Sequence, residues 1–137
     1  TNYLVDAFVP MKLFEFLKGM IESKTAFLLV LNLFLLLVGC MMDIFSAILV
    51  VVPLIIPLAE KFQVDPVHLG VIFLANLGIG YNTPPIGLNL FIASTRFERP
   101  IVALYRATMP FLLILLLSLA LITYWPGLSL YLPRLLR

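Results

Sequence analysis

Ten residues in the middle of the chain read Gly78-Ile79-Gly80-Tyr81-Asn82-Thr83-Pro84-Pro85-Ile86-Gly87 and interrupt a long apolar segment, residues 67–94. Three glycines and two prolines cannot continue a regular helix, because proline lacks an amide donor and glycine is a poor helix former. We therefore predict a broken helix. Its first half ends near Leu77, an unwound segment follows, and its second half begins near Pro84.

The predicted break leaves backbone groups without helical partners. At membrane depth lipid cannot satisfy such groups, and each one costs several kcal/mol. The proline rings block the carbonyls of Gly80 and Tyr81, and the amides near Ile86 and Gly87 are expected to be free. In transporters, carbonyls at the end of a half-helix suit Na⁺, and the amino end of the next half-helix suits an anion. The alternative is a proline kink that is satisfied by neighbouring helices.

The candidate ligands near the break offer an oxygen, an amide or a glycine that lets the backbone approach a bound species. For the ion they are Asn76, Gly78, Gly80, Asn82 and Thr83. For the solute they are Thr83, Pro84, Pro85, Gly87 and Asn89. We further expect a positive φ at Gly80, which Gly80→Ala would strain.

The first long apolar segment, residues 26–59, is too long for one crossing. Its about 34 residues would form a helix of roughly 51 Å, whereas the hydrocarbon core is about 30 Å thick. Gly39 and Asp43 mark the predicted turn. The segment then forms either two short crossings or a re-entrant hairpin with Asp43 at its tip.

Asp43 is the one acid within this apolar segment. A carboxylate inside a membrane is costly and is a functional candidate by default. Gly39 and Asp43 are therefore added to the candidate ion ligands. The alternative is that Asp43 only caps the second leg of the hairpin.

The composition requires a lipid environment. Hydrophobic residues make up 63% of the sequence and charged residues 12%, with a mean hydropathy of +1.14. Soluble domains contain about 45–50% apolar and about 25% charged residues. We therefore predict an all-α fold class, a polytopic membrane protein with a re-entrant helical hairpin, a broken transmembrane helix and a C-terminal transmembrane helix.

The sequence gives no support for an enzyme. It has no Ser-His-Asp set, no metal-ligand spacing and no phosphate-cradling loop, so we expect no cofactor and no metal besides sodium. The net charge of +2 is small and scattered, which argues against binding to nucleic acid. Asn32 is expected to form a hydrogen bond between packed helices, and His68 is expected to be solvated at the membrane interface.

We divide the chain into four segments. They are an amphipathic interfacial arm helix (1–24), the hairpin (25–60), the broken helix (61–95), and a basic loop (96–106) with a C-terminal transmembrane helix and tail (to 137). The arm helix either lies on the membrane surface or packs against protein. Because the sequence starts at Thr1 without an initiator methionine, we interpret it as the C-terminal part of a longer protein.

The residues of the predicted break resemble a family signature. The stretch from Gly78 through Asn82-Thr83-Pro84-Pro85 to Ser94 is similar to the broken helix of the large membrane subunit of tripartite ATP-independent periplasmic (TRAP) transporters. Three further parts of the sequence resemble the same family, namely Gly39-Cys40-Met41-Met42-Asp43, the pair Pro53 and Pro57, and Asp65-Pro66-Val67-His68. The resemblance covers nearly the whole chain as the C-terminal third of that subunit. Tyr81-Asn82 departs from the more apolar pair expected before Thr-Pro-Pro.

The resemblance implies an elevator-type, sodium-driven importer of the bacterial inner membrane. The implied partners are a small membrane subunit, a periplasmic solute-binding protein and membrane lipid. The implied solute is a small organic acid such as a C4-dicarboxylate or a sialic acid. By the same resemblance the hairpin opens to the periplasm and residues 96–106 are cytoplasmic. The first, inverted repeat, with half of the sites, would lie outside this chain.

Two other interpretations stay open at this point. A divalent-anion/sodium symporter of the same architecture would work without a binding protein. A membrane scaffold subunit would have no transport site, and it predicts that Asp43, Asn82 and Thr83 are replaceable without loss of function.

Overall fold

The computed structural model describes residues 23–136, and all regular structure in that range is α-helical. The helices are α1 (Lys24–Met41), α2 (Ile44–Lys61), α3 (Pro66–Gly80), α4 (Leu88–Phe97), α5 (Ile101–Tyr124) and α6 (Pro126–Leu135). Three of them, α1, α2 and α5, are long and apolar enough to cross a membrane. The predicted all-α, polytopic fold class is confirmed. The arm helix predicted over residues 1–24 lies outside the described residues, except that Ser23 and Lys24 begin α1.

The helices α1 and α2 form a hairpin in which the start of α1 contacts the residues that follow α2. At the start of α1, the Lys24 ammonium donates a hydrogen bond to the carbonyl of Gln63, just after α2, over 2.9 Å. The rings of Phe27 and Phe62 stack with their centroids 4.4 Å apart and their planes 13° apart. The second leg therefore returns the chain to the level at which the first leg began.

The length of the legs is compatible with both predicted arrangements of the hairpin. Each leg has 18 residues, which is about 27 Å of helix, close to the about 30 Å of the hydrocarbon core. The second leg is helical through both Pro53 and Pro57. Whether the hairpin is re-entrant or crosses twice stays a prediction.

The largest apolar core lies between the hairpin and α3. Leu35 of α1 and Ile72 and Leu77 of α3 are completely buried in it. The start of α3 is fixed by Asp65, whose carboxylate accepts hydrogen bonds from the amides of Val67 (2.8 Å) and His68 (3.4 Å). Since the starts of α1 and α3 lie near Gln63 and their ends also meet, as described below, the two helices run side by side in the same direction.

The helix breaks in the predicted stretch, but at different residues. The first half continues to Gly80 instead of ending near Leu77, and the second half begins at Leu88 instead of Pro84. Both prolines thus lie in the unwound segment, residues 81–87, where their missing amides cost no helical hydrogen bond. The Pro84–Pro85 peptide bond is cis.

The region after the break is more helical than predicted. The basic loop predicted over residues 96–106 is wrong, because α4 continues to Phe97 and α5 begins at Ile101, so only residues 98–100 connect them. The predicted C-terminal transmembrane helix is present as α5. The predicted tail forms a further helix, α6, whose first residue is Pro126; proline suits this position because the amide there needs no helical partner.

The depth of the hairpin tip can be measured with cysteines at positions 43 and 63 in a background in which Cys40 is replaced by alanine. If the hairpin is re-entrant, a membrane-impermeant maleimide should label both positions from the same face of the membrane, with position 43 reached through an aqueous cavity. Position 63 lies at the open end of the hairpin and serves as the reference. Labelling of position 43 only from the opposite face would show two complete crossings instead.

Candidate functional site

The hairpin tip and the helix break are joined by a contact between two glycines. A Cβ atom added to Gly80 would lie 2.6 Å from the carbonyl carbon of Gly39 and 2.9 Å from the amide nitrogen of Cys40. A Cβ atom added to Gly39 would lie 2.9 Å from the Cα of Leu77. Backbone therefore touches backbone, as small residues allow between membrane helices. The contact brings the unwound segment next to the hairpin tip at residues 42–43.

The predicted positive φ at Gly80 is wrong. The one glycine with positive φ among the described residues is Gly87, at 47°. A Cβ atom at Gly87 would also lie 2.9 Å from the carbonyl oxygen of Thr83. Gly80 is required by the contact with Gly39, whereas Gly87 is required by the turn that starts α4. A Cβ atom at Gly78 would meet nothing within 4 Å.

The unwound segment provides partners for its own carbonyls. The carbonyl of Gly80 accepts from the amide of Thr83 over 3.0 Å, and that of Tyr81 accepts from the amide of Asn89 over 3.1 Å. The prediction that these carbonyls lack a protein partner is therefore wrong, because the chain turns back and brings the start of α4 to the end of α3. Each carbonyl oxygen has two lone pairs, so one remains for a cation.

Three polar side chains around the break are tied to the end of α3 or to each other. The Asn82 amide donates to the carbonyl of Gly78 over 3.1 Å, and the Thr83 hydroxyl donates to the carbonyl of Ile79 over 2.9 Å. The Asn89 amide donates to the Asn82 side-chain oxygen over 3.3 Å. The structure thus brings Asn82 and Asn89 together. Because the Thr83 hydroxyl uses its proton on Ile79, its oxygen lone pairs stay available.

The start of α4 carries amides without partners. Within residues 23–136, the backbone amides of Ile86, Gly87 and Leu88 donate no hydrogen bond. That the amides near Ile86 and Gly87 are free in the complete protein stays a prediction. Together with the aligned peptide dipoles of α4, these amides form an electropositive group that is suited to an anion.

Asp43 is the N-cap of α2. Its carboxylate accepts from the amide of Ser46 over 3.0 Å and from the hydroxyl of Ser46 over 2.6 Å. The capping alternative is therefore confirmed, while its role at an ion site stays a prediction. Among the described residues, no three His, Cys, Asp or Glu side chains are grouped as metal ligands.

The sequence matches the family described as the tripartite ATP-independent periplasmic transporter, DctM component, over residues 3–128. The chain belongs to this family. Of the two transporter families that the sequence left open, the match supports the tripartite one.

Curated relatives of this TRAP family chain are named after different solutes. The C4-dicarboxylate TRAP transporter large permease protein DctM of Pseudomonas aeruginosa is 41% identical over 126 residues, 92% of this chain and 30% of the relative. The isethionate TRAP transporter permease protein DctMQ of Oleidesulfovibrio alaskensis is 37% identical over 130 residues, 95% and 20% respectively. The sialic acid TRAP transporter large permease protein SiaM of Vibrio cholerae is 35% identical over 127 residues, 93% and 30%. The chain therefore spans 30% or less of the length of these relatives.

Asn76 of this TRAP family chain lies in a separate polar cluster between α1, α3 and α5. Its amide donates to the Asn32 oxygen over 2.7 Å and to the carbonyl of Ile72 over 2.8 Å, and the Asn32 amide donates to the Thr123 hydroxyl over 3.0 Å. Asn76 is completely buried, and none of these hydrogen bonds reaches the unwound segment. The predicted packing role of Asn32 is confirmed, and Asn76 is placed beside it.

His68 belongs to the same cluster, so its predicted solvation is wrong. The residue is 3% exposed, and its Nε2 lies 3.1 Å from the carbonyl oxygen of Thr123. The end of α5 covers it because α5 runs back along α3. Sequence reasoning missed Thr123, because a single hydroxyl near the end of a mostly apolar helix gives no sign of the distant residues that it contacts.

The contact between Gly39 and Gly80 can be tested with matched alanines in α3. Gly80→Ala should lower the stability of the complete protein by about 1–3 kcal/mol, because the added methyl group overlaps backbone atoms that cannot move independently. Gly78→Ala should be neutral, or stabilising by up to about 1 kcal/mol, because alanine is the better helix former and the site is open. Thermal unfolding in detergent measures both variants. Equal stability of the two variants would contradict the close contact.

Proposed function

We propose that this chain supplies a hairpin and a broken helix to a sodium-coupled secondary transporter, which moves a small organic acid across the bacterial inner membrane. The observation that carries the proposal is the contact of Gly39 with Gly80. This contact places two interruptions of apolar helices side by side, the hairpin tip and the unwound segment. Paired interruptions of this kind form the ion and solute sites of secondary transporters.

Sodium is proposed as the coupling ion because the site is rich in neutral oxygens. The carbonyls of Gly78, Gly80 and Tyr81 each keep a lone pair after one protein hydrogen bond, and the Thr83 hydroxyl already donates its proton to the carbonyl of Ile79. An alkali cation needs such oxygens and no deprotonation of a ligand. Asp43 would add one negative charge from the adjacent tip.

An anionic solute is proposed for the other side of the unwound segment. The amides of Ile86, Gly87 and Leu88 have no partner within the described residues, and an anion is their natural acceptor. The Asn89 side chain lies one residue further along. Dicarboxylates and sialic acids, named in two of the relatives, carry carboxylates that such amides can bind. Thr83, Pro84 and Pro85 would line the path between the ion and the solute.

The remaining parts of the proposal rest on family membership. The complete transporter would include a small membrane subunit and a periplasmic binding protein that delivers the solute. It would carry out no enzymatic reaction, and the transported ion would be its only inorganic ligand. The hairpin would be re-entrant from the periplasmic side, and the turn at residues 98–100 would face the cytoplasm.

Sodium binding beside the break predicts different effects for two substitutions of Thr83. Thr83→Val keeps the shape but removes the hydroxyl, and should raise the sodium concentration for half-maximal uptake about tenfold or more, since a polar contact to a charged group is worth about 1.5–3 kcal/mol. Thr83→Ser retains the oxygen and should stay close to the unaltered protein. Uptake into proteoliposomes by the complete transporter measures both. Identical sodium dependence in all three proteins would exclude Thr83 from the ion site.

Two substitutions of Asp43 separate its cap from its charge. An asparagine side chain can still cap α2, so Asp43→Asn should leave thermal stability unchanged, whereas Asp43→Ala should lose about 1 kcal/mol. If the charge helps to hold a cation, Asp43→Asn should still weaken the sodium dependence of uptake. A normal sodium dependence in Asp43→Asn, with the expected stability loss in Asp43→Ala, would leave Asp43 as a cap alone. Full uptake in both Asp43→Asn and Thr83→Val would favour a scaffold subunit.

A further inference from the structure

The phenol of Tyr105 reaches from α5 to the unwound segment. Its hydroxyl donates a hydrogen bond to the carbonyl oxygen of Pro85. We infer that Tyr105 is a positioning residue for solute binding, and that it fixes the direction of the Ile86 amide by holding the other end of the same peptide group. This inference rests on the function proposed above, and it adds a residue that lies outside the broken helix.

The planarity of the peptide group connects the two atoms. The carbonyl of Pro85 and the amide of Ile86 belong to one peptide unit, which is trans, since the cis bond lies between Pro84 and Pro85. In a trans unit the C=O and N–H bonds are held in one plane and point in opposite directions. A donor that holds the Pro85 oxygen on the α5 side therefore turns the Ile86 N–H to the other side.

The Ile86 amide has no other means of orientation within residues 23–136. It donates no hydrogen bond there, in contrast to the amides of Thr83 and Asn89, which are held by the carbonyls of Gly80 and Tyr81. The ring of Pro85 fixes the φ angle of that residue but leaves its ψ angle free. The orientation of the next peptide plane depends on this ψ angle. The hydrogen bond from Tyr105 restrains it.

Tyr105 is itself held firmly relative to the broken helix. It lies in the second turn of α5, after a connection of only residues 98–100. Between α4 and that connection, the Ser94 hydroxyl donates to the carbonyl of Arg99 over 2.6 Å, and the amide of Arg99 donates to the carbonyl of Ser94 over 3.2 Å. The corner between α4 and α5 is thus closed on itself. Within the described residues, the tyrosine provides the one hydrogen bond from α5 to residues 81–87.

The first test measures the accessibility of position 86 and does not depend on transport. Ile86 is 47% exposed within the described residues, and a cysteine at this position is labelled with a water-soluble maleimide in the complete transporter. Tyr105→Phe should increase the labelling rate of Ile86→Cys about threefold or more, because losing one neutral hydrogen bond frees the segment by about that factor. Tyr131→Phe is the matched control, since Tyr131 of α6 is 67% exposed. An unchanged labelling rate in Tyr105→Phe would overturn the inference.

The second test measures uptake of succinate and of N-acetylneuraminate by the same proteins, without the cysteine. With the probe that the unaltered transporter takes up, Tyr105→Phe should raise the half-saturating solute concentration about three- to tenfold, with a similar maximal rate and sodium dependence. Faster labelling without a change in half-saturation would overturn the role in solute binding. Faster labelling in a transporter that shows no sodium-dependent uptake of either probe would instead refute the proposed function and leave the tether in place.

Discussion

The arrangement of this chain depends on the absence of two side chains, at Gly39 and Gly80. Any larger residue at position 80 would place an atom within 2.6 Å of the backbone of α1. With glycine at both positions, the last turns of α1 and α3 touch, and the turn that follows each helix lies beside the other. A site between these turns needs that approach, because the hairpin and the broken helix each supply only some of the polar groups. The apolar core between α1, α2 and α3 holds the helices together along the rest of their length.

The hydrogen bonding of the backbone differs between the two ends of the unwound segment, where lipid could not supply partners. At its first end, the carbonyls of Gly80 and Tyr81 accept hydrogen bonds from within the broken helix. At its second end, the amides before and at the start of α4 have no partner in the described part of the chain. The backbone groups of the segment that have no partner among the described residues are therefore donors, and they need acceptors. An anion would supply the missing acceptors, whereas a cation would share oxygens that already accept hydrogen bonds.

The sequence predicted the positions of the helix interruptions better than the hydrogen-bond and packing partners of the residues there. Glycine and proline act on the local backbone, so the break in residues 78–87 follows from residue type alone. The turn near Asp43 follows from the preference of aspartate for the N-cap, whereas Gly39, also predicted to mark this turn, lies inside α1. The partner of the Tyr81 carbonyl is the amide of Asn89, eight residues later, and this pairing depends on the path of the chain between them. The same holds for Gly80, whose requirement comes from a contact with a distant helix, and for His68, which is covered by the end of α5. Long-range packing of this kind leaves little trace in local composition.

The hydrogen bond of Lys24 to Gln63 and the stacking of Phe27 on Phe62 close the base of the hairpin, next to the start of α3. The glycine contact joins α1 to α3 at the opposite end, so α1 is held near the start of α3 through Gln63 and near the end of α3 at Gly80. A pair of helices fastened at both ends cannot slide or splay without breaking one of the two fastenings. Any displacement of the hairpin through the membrane would therefore take the unwound segment with it. The distances between the groups that face a bound solute would then be the same on both sides of the membrane.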